Sequence, residues 1–408
     1  MLKISKRWAA RSDKLLKRLV GRSAPATAQR VSLRTAGMIL ASLVVWRGAI
    51  TLFSWLLDRT GRASCGTGVP VPWKYSSCWD TETYQIIAAR GYDYAPDSPS
   101  SIAFFPLFPL LMRWADDVVP GHGDVFASLI VTHIALAVAA FYVFLTVRAD
   151  FSEAIAWRTL VFLLLFPSAL FFSVAYPEAL FLLGIAGCLY HARRGQWLLA
   201  GLFGIFASLT KLTGIVLFIP LLVEMSTQRA LPGMERANSR AWLGALLAPM
   251  GAVGYFAWLI WQFGDYRVFF EAQENWVRGS NRPVFLYGLD RLRGDVTGML
   301  AFYPRSITDF PTFWVLYDSL LLVAFFVAGI LLWRQVRASY GALVISSCLL
   351  LTFSGNPQSM NRYVVVLFPV FILLARIRSS RVRYALALMF TIGLATEIYF
   401  FVNGLWAG

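Results

Sequence analysis

The chain has 408 residues, of which 58% are apolar and 14% are charged. A soluble domain carries roughly 45–50% apolar and about 25% charged residues, and the mean hydropathy of +0.61 is high for a chain surrounded by water. Composition therefore excludes a soluble globular protein, a disordered chain and a collagen-like fibre. It predicts an all-α protein, a polytopic membrane helical bundle.

The net charge of +15 is concentrated near the N-terminus, which argues against nucleic acid as a partner. Residues 1–34 hold ten of the 37 lysines and arginines. Trp8, Leu15 and Leu19 lie among these cations at near-helical spacing. The pattern predicts an amphipathic helix on anionic membrane lipids, and a disordered basic tail is the alternative. We divide the chain into a basic cytoplasmic segment, 1–34, and a transmembrane domain, 35–408.

Long apolar runs fill the second part of the chain. A hydrocarbon core of about 30 Å requires roughly 20 residues of helix, and the runs predict about 11 transmembrane helices. These predicted spans are 35–57, 125–147, 159–175, 177–192, 197–210, 213–225, 241–262, 312–333, 340–354, 363–377 and 384–402. Four of them, between 159 and 225, are short and joined by turns with Pro or Gly. We expect broken or re-entrant elements there, which are tolerated where they line a protein cavity.

The distribution of charge predicts the orientation of the chain. With the N-terminus in the cytoplasm, cytoplasmic segments hold 23 Lys and Arg against five acids, and outer segments hold 13 against 15. The positive-inside rule favours this arrangement. No cleavable signal peptide is expected, because a long polar stretch precedes the first apolar run. Two long segments, roughly 58–124 and 263–311, then lie on the outer (periplasmic, extracellular or lumenal) face.

The four cysteines fall into two classes. Cys65 and Cys78 lie in the first outer loop, where we predict a disulfide worth about 3 kcal/mol in the chain-entropy model. Cys188 and Cys348 lie inside apolar spans and are expected to be inert. None of the three histidines lies near Cys65 or Cys78 at ligand spacing, so we expect no metal site.

A short interfacial helix is predicted in the first outer loop. Asp80 is placed to cap it, and Gly91 is placed to end it. Tyr84, Ile87 and Ala88 share one face by their three- and four-residue spacing. Taken alone, Asp80 has the simpler interpretation of a helix cap.

The outer turns also carry acids and cations that are predicted to lie on one face of the membrane. A carboxylate there can take up a proton, and cations can stabilise a phosphate. Asp80 and Glu178 are the candidate acids, and Lys211, Arg278 and Arg362 are cations placed to converge on one phosphate. The polar and aromatic side chains expected to bind the rest of a substrate by hydrogen bonds or stacking are Trp79, Tyr176, Gln273, Trp276 and Asn361.

Five motifs follow one another along these outer segments. They are Trp79-Asp80 with Tyr84, Ile87-Ala88, Gly91-Tyr92 and Phe104-Phe105-Pro106-Leu107-Phe108-Pro109; Phe166-Pro167-Ser168-Ala169 with Phe171-Phe172-Ser173 and Tyr176-Pro177-Glu178-Ala179-Leu180; Thr210-Lys211-Leu212-Thr213-Gly214; Ala272-Gln273 with Trp276, Arg278 and Pro283; and Asn361-Arg362-Tyr363 with Phe368-Pro369. This series, over roughly residues 35–375, resembles the PIG-V family of membrane mannosyltransferases. The chain departs from the family at Lys211 and Leu212, where Arg and Pro are commoner, and Lys lacks the bidentate fork of Arg.

The resemblance implies a GT-C-like fold and a glycosyltransferase activity. The enzyme would transfer a sugar, mannose in the family, from a polyprenyl-phosphate donor to a hydroxyl of a lipid, glycan or protein acceptor, with inversion. Asp80 would be the general base, and the resemblance supports this role most. Arg362, Lys211 and Arg278 would hold the donor phosphate, and Glu178 would orient the sugar or the acceptor. The polar and aromatic side chains named above would bind the sugar or the acceptor. No cofactor would be needed.

Simpler structural interpretations stay open for several of these residues. Arg362 would merely mark a helix end, and Glu178 would be an N-terminal helix residue stabilised by the helix dipole. Gln273 and Trp276 would anchor an interfacial helix.

Two other functions stay open for the whole chain. A lipid or sugar-lipid transporter or flippase would use Arg47, Asp318 and Glu397, which lie within predicted spans, as a permeation or coupling path. Arg47 would otherwise snorkel or pair with Asp318 or Glu397. Against a transporter, the chain shows no paired halves with matching broken helices. A non-catalytic scaffold is the third possibility.

Overall fold

The structure, a computed structural model, describes residues 31–59, 73–119, 124–229, 239–276, 310–353 and 359–405. Throughout these ranges the regular elements are helices, and they contain no β-strand. The predicted all-α class is therefore confirmed. Most of the predicted basic segment lies outside the described residues.

The helices are joined mostly by short turns. In chain order they are α1 (Leu33–Asp58), α2 (Asp80–Arg90), α3 (Leu107–Val118), α4 (Asp124–Asp150), α5 (Glu153–Leu165), α6 (Glu178–Arg193), α7 (Trp197–Thr210), α8 (Phe218–Arg229), α9 (Ser239–Leu247), α10 (Met250–Phe263), α11 (Val268–Trp276), α12 (Phe310–Gln335), α13 (Ala338–Phe353), α14 (Met360–Val365), α15 (Pro369–Ala375) and α16 (Ser380–Val402). Short 3₁₀ helices cover Trp73–Ser76, Ser101–Ala103, Pro167–Phe172 and Leu212–Leu217.

Several helices are long and apolar enough to cross a membrane. Within the described ranges there are five, or six if α9 and α10, which meet at a bend of 48°, form one span. The five helical segments are Leu33–Asp58, Val125–Asp150, Leu212–Arg229, Tyr317–Gln335 and Ser380–Val402. The chain is thus a multi-pass membrane protein, but the larger predicted number of spans is not confirmed.

Two of the predicted spans are divided by breaks in the helix. The predicted span 159–175 is not one helix, because α5 ends at Leu165 and Pro167 starts a 3₁₀ helix. Proline lacks the N–H that a helix interior needs. The predicted span 363–377 is likewise divided between α14 and α15.

Helix α6 lies at the centre of the bundle. Every residue in it except Leu183 is buried, and it packs against α4 and α7. Peripheral helices instead expose apolar side chains, including Val45 of α1 at 72% and Leu388 of α16 at 63%. Such exposed apolar surface is what a helix facing lipid requires.

Glycines allow helices α7, α9 and α10 to approach closely. A Cβ on Gly244 of α9 would lie 2.2 Å from the carbonyl oxygen of Trp197 of α7. One on Gly204 would lie 2.5 Å from the Cβ of Ala248. Small residues at helix contacts in membranes gain van der Waals packing that larger side chains prevent.

We therefore expect Gly244→Ala to destabilise the protein by about 1–3 kcal/mol, since overpacking forces neighbouring backbone to shift. Thermal unfolding in detergent measures the effect. The matched control is Gly254→Ala in α10, because a Cβ there meets nothing within 4 Å. Equal melting temperatures for the two variants would contradict the close contact.

Candidate active site

Asp80 lies at the start of α2, in a turn fixed by a buried tyrosine. Trp79, and not Asp80 as predicted, is the N-cap residue, with φ of 58°, a conformation uncommon for a residue other than glycine. The Tyr176 hydroxyl accepts from the Asp80 amide at 3.1 Å and donates to the Cys78 carbonyl oxygen at 3.2 Å. These contacts hold the Asp80 carboxylate in the first turn of a helix, where negative charge is favoured.

Asp80 belongs to a group of four charged side chains that come from separate parts of the chain and contact one another in a row. Arg362 of α14 donates to Asp80 Oδ2 at 2.6 Å, and its Nε lies 3.3 Å from Oε1 of Glu178. Lys211 Nζ, directly after α7, donates to the same Glu178 oxygen at 2.6 Å. Negative and positive charges thus alternate through Asp80, Arg362, Glu178 and Lys211, which we call the charge cluster.

The members of the charge cluster differ in access. The side chain of Glu178 is 0% exposed, those of Lys211 and Arg362 are 11% and 12% exposed, and that of Asp80 is 27% exposed. Only one oxygen of Glu178 has a hydrogen-bond partner among the described residues. Asp80 is therefore the acid of the cluster most open to a ligand, and Glu178 forms its buried floor.

Aromatic rings surround the two cations. The Arg362 guanidinium carbon lies 5.2 Å from the ring centre of Tyr176 and 5.6 Å from those of Phe171 and Tyr363. Lys211 Nζ lies 4.6 Å from the Tyr363 ring centre. These distances are typical of cation–π contacts, which strengthen when water is excluded. Phe171 and Tyr363 both belong to the sequence motifs, but neither was assigned a role at the site.

The charge state of the cluster follows from its burial and its pairing. Burial opposes the charge on Arg362, but the nearby carboxylates of Asp80 and Glu178 outweigh it and raise the pKa of Arg362. Burial, reinforced by Asp80, raises the pKa of the Tyr176 phenol. Arg362 therefore stays charged and Tyr176 stays protonated at physiological pH.

Gln273 and Trp276 of α11 lie outside the charge cluster. Gln273 Nε2 donates to the carbonyl oxygen of Ala103 at 2.8 Å, and Trp276 Nε1 donates to that of Ser100 at 2.9 Å. The Trp276 ring also meets the Phe104 ring edge-on at 5.4 Å. Both side chains thus fasten α11 to the turn before α3, which favours their simpler interpretation as anchors.

Two predicted site residues, Arg278 and Cys65, lie outside the described residues. Cys78 forms a disulfide, whereas Cys188 and Cys348 are free thiols. The pairing of Cys65 with Cys78 stays a prediction.

The charged residues within the spans have partners other than those expected. Arg47 donates to the Ser76 hydroxyl at 2.7 Å, so the expected pairing with Asp318 or Glu397 is wrong. Glu397 instead accepts from the Asn361 side chain at 2.9 Å, and Asp318 accepts from the Asn361 amide at 3.0 Å. A buried carboxylate in an apolar run was the available signal, but its partner was not evident from the sequence.

A second group of charges lies at the other end of α6. Glu224 of α8 accepts from Arg337 Nε at 2.7 Å, and Arg193 of α6 pairs with Asp150 of α4. The sequence was interpreted as placing these residues in cytoplasmic loops, whereas their side chains are largely buried. This opposite-end network comprises Asp150, Arg193, Glu224, Gln228, Arg337, Ser339 and Tyr340.

The described residues contain no group of three or more His, Cys, Asp or Glu placed to hold a metal ion. The charge cluster instead offers two cations and two carboxylates. Such a set suits an anionic ligand that has a hydroxyl partner: the cations bind the anion and a carboxylate accepts the proton.

Comparisons with solved structures give matches of low identity. ArnT from Cupriavidus metallidurans bound to undecaprenyl phosphate is 18% identical, with a TM-score of 0.49, over 85% of this chain and 62% of that one. The apo state of ArnT is 16% identical, with a TM-score of 0.47, over 90% and 77%. The oligosaccharyltransferase from Archaeoglobus fulgidus tethered to an acceptor peptide is 14% identical, with a TM-score of 0.42, over 89% and 55%.

The chain spans less than two thirds of the length of the lipid-bound ArnT and of the oligosaccharyltransferase. No protein-family model matches the chain, and no curated protein matches it. The resemblance to the PIG-V family therefore depends on the five motifs in the sequence.

Proposed function

We propose that this chain is a GT-C-like membrane glycosyltransferase. It transfers a sugar from a polyprenyl-phosphate donor to an acceptor hydroxyl, with Asp80 as general base. The observation that carries the proposal is the convergence of Asp80, Arg362, Glu178 and Lys211 beside apolar helices. Asp80 Oδ2 and Arg362 lie 2.6 Å apart although 282 positions separate them in sequence. A base and a phosphate-binding cation are therefore close enough to serve one reaction centre.

The reaction is a displacement at the anomeric carbon of the donor sugar. The acceptor oxygen forms a bond to that carbon as the bond to the phosphate oxygen breaks, and the polyprenyl phosphate leaves with the electron pair. The acceptor proton passes to Asp80. Arg362 and Lys211 stabilise the negative charge that develops on the leaving phosphate. Attack from the face opposite the phosphate inverts the anomeric configuration.

Donor binding also makes Asp80 available as a base. Without a ligand, Arg362 is bound to Asp80 and Lys211 is bound to Glu178. A phosphate entering the charge cluster competes for these donors, and each donor hydrogen bond that it takes frees a carboxylate oxygen. Asp80 is then relieved of its ion pair only when the sugar donor is in place, which limits proton transfer in the empty enzyme.

The sequence supports mannose as the sugar and the outer face as the side of the reaction. Mannose is the sugar implied by the PIG-V resemblance. The positive-inside distribution of charge supports a cytoplasmic N-terminus and a charge cluster on the outer face. Trp79, 44% exposed, lies directly before Asp80 and offers an aromatic surface for the sugar or the acceptor.

A transporter or flippase gains no support from the charged residues in the spans. Arg47 contacts Ser76, and Asp318 and Glu397 contact α14. These contacts give each of the three residues a role in holding the structure around the charge cluster, and none is needed as part of a permeation path.

The test is a transfer assay with the full chain reconstituted in liposomes. Polyprenyl-phosphate mannose labelled in the sugar is supplied with total membrane lipids and envelope glycans as acceptors. We expect label to become covalently attached to an acceptor. Movement of intact labelled donor between leaflets without bond formation would support the flippase and overturn the proposal.

Arg362→Gln tests the phosphate-binding role. Loss of charge-assisted hydrogen bonds worth about 1.5–3 kcal/mol should weaken binding of a short-chain polyprenyl phosphate by about 10–150-fold. Binding is measured by titration in detergent. The matched control is Arg90→Gln, since Arg90 is an exposed arginine at the end of α2. Equal weakening by both variants would point to general charge attraction and contradict a specific site.

A further inference from the structure

Helix α14, which carries Arg362, is hydrogen-bonded to two carboxylates that lie within apolar helices. Asp318 of α12 is 1% exposed, and Glu397 of α16 is 2% exposed. Carboxylates in such places are costly and usually functional. Neither touches the charge cluster directly, and both contact α14 on the side of Asn361.

Asp318 binds the backbone at the start of α14. Its Oδ2 accepts from the Met360 amide at 3.1 Å, and its Oδ1 accepts from the Asn361 amide at 3.0 Å. The preceding residue, Ser359, has φ of 65°, a backbone conformation that surrounding contacts must stabilise. A helix as short as α14 has little stability of its own, so its position depends on such external bonds.

Asn361 connects this support to Arg362. Its side-chain oxygen accepts from the Arg362 amide at 2.6 Å, and its side-chain nitrogen donates to Glu397 Oε1 at 2.9 Å. Its carbonyl oxygen accepts from the Ser168 hydroxyl at 2.8 Å. Asn361 is 0% exposed, so both ends of its amide are occupied inside the protein.

We infer that Asp318, Asn361 and Glu397 are positioning residues that fix the guanidinium of Arg362 for the donor phosphate. This inference rests on the proposed function and replaces the predicted role of Asn361 in binding sugar. The relay runs from Glu397 through the Asn361 side chain to the backbone of Arg362, while Asp318 fixes the first turn. It gives the two carboxylates within the spans one shared purpose.

The two side-chain oxygens of Glu397 differ in their contacts. Its Oε1 must accept from Asn361, whereas its second oxygen has no hydrogen-bond partner among the described residues. Glu397→Gln can keep an accepting oxygen toward Asn361, but Glu397→Leu removes it. Comparing the two variants therefore separates the effect of the hydrogen bond from the effect of side-chain volume.

The first measurement is hydrogen exchange of the ligand-free full chain. We expect Glu397→Leu to speed exchange of the amides of residues 360–362 by about tenfold or more, as local opening becomes easier, and Glu397→Gln to leave it near the wild-type rate. The matched control is Thr396→Leu, an exposed neighbour on α16, which should change nothing in α14. Unchanged exchange in Glu397→Leu would overturn the relay.

The second measurement is binding of a short-chain polyprenyl phosphate. Glu397→Leu should weaken binding by about 10–100-fold, because a misplaced guanidinium loses charge-assisted hydrogen bonds to the phosphate. In an Arg362→Gln background the same change should have no further effect, because the group being positioned is absent. A purely structural defect would weaken binding equally in both backgrounds and would overturn the inference.

The outcomes distinguish the relay from the proposed function. If Glu397→Leu speeds exchange in α14 but Arg362→Gln leaves phosphate binding unchanged, the proposed function fails and the relay stands as support of Arg362. If Arg362→Gln weakens binding but Glu397→Leu does not, the proposed function stands and the relay fails.

Discussion

Asp80→Asn should reduce sugar transfer by about 10²–10⁴-fold, the usual contribution of a general base. Asparagine has nearly the same shape as aspartate and can still accept from Arg362, so the turn at Trp79 and Tyr176 should persist. It lacks the basicity to take a proton from the acceptor hydroxyl. The loss should therefore appear in kcat.

Donor binding should respond differently to the same substitution. Arg362 donates to Asp80 in the ligand-free protein, and a neutral amide competes less well with phosphate for that donor. We expect Asp80→Asn to bind a polyprenyl phosphate at least as tightly as the wild type. A variant that binds the donor and fails to transfer sugar would identify a defect in the chemical step.

The matched control for Asp80 is Glu82→Gln. Glu82 is an exposed carboxylate in the same first turn of α2, and its neutralisation should leave transfer within about twofold, as expected of surface changes. Reconstituted vesicles and a labelled polyprenyl-phosphate donor give the rates. If Asp80→Asn transfers sugar at a near-normal rate, Asp80 is not the base.

Glu224→Ala should lower the free energy of unfolding by about 3–5 kcal/mol, the cost of removing one partner from a buried ion pair. Glu224 is 1% exposed and accepts from Arg337 Nε, Ser339 Oγ and Gln228 Nε2, each at 2.7 Å. Its removal leaves the Arg337 guanidinium buried without its carboxylate. The opposite-end network therefore binds α6, α8 and α13 together.

Thermal and denaturant unfolding in detergent measure this second effect. The matched control is Glu271→Ala, which removes an exposed carboxylate hydrogen-bonded to Tyr94 at 2.5 Å and should cost no more than about 1 kcal/mol. Polyprenyl phosphate binding at a temperature where Glu224→Ala is still folded should be close to normal, because the network lies at the far end of α6. Similar stability of the two variants would contradict a stabilising network.

The class of protein could be predicted from composition, because apolar residues exceed what a soluble chain can bury. The breaks between 159 and 225 could also be anticipated, since proline interrupts a helix at known positions such as Pro167. The number of spans could not be settled in this way, because an apolar run in a buried helix such as α6 looks the same as one that faces lipid. Hydropathy measures the side chains and not their neighbours.

The candidate site was only partly accessible from the sequence. Lys211 and Arg362 were singled out as cations that oppose the charge trend of the outer segments, and Glu178 as a carboxylate on an apolar turn. Asp80 was singled out as the acid nearest an interfacial turn, the position that the PIG-V resemblance supports most. Their pairing was not predictable, since the contact between Asp80 and Arg362 depends on the packing of distant helices.

The opposite-end network was missed altogether. Asp150 and Glu224 lie at the ends of apolar runs, where a charge normally indicates a loop. The structure instead places both in ion pairs, Asp150 with Arg193 of α6 and Glu224 with Arg337 directly before α13.

The central position of α6 has a consequence for the membrane around the protein. The charge cluster is bound to its first residue, Glu178, and the opposite-end network is bound to its last, Arg193. A helix of this length is about 24 Å long, and its buried sides leave little room for tilt. Lipid-facing helices such as α1 and α16 can tilt when bilayer thickness changes. The peripheral helices would then absorb hydrophobic mismatch while the spacing between the two charged groups stays constant, so activity should be tolerant of acyl-chain length.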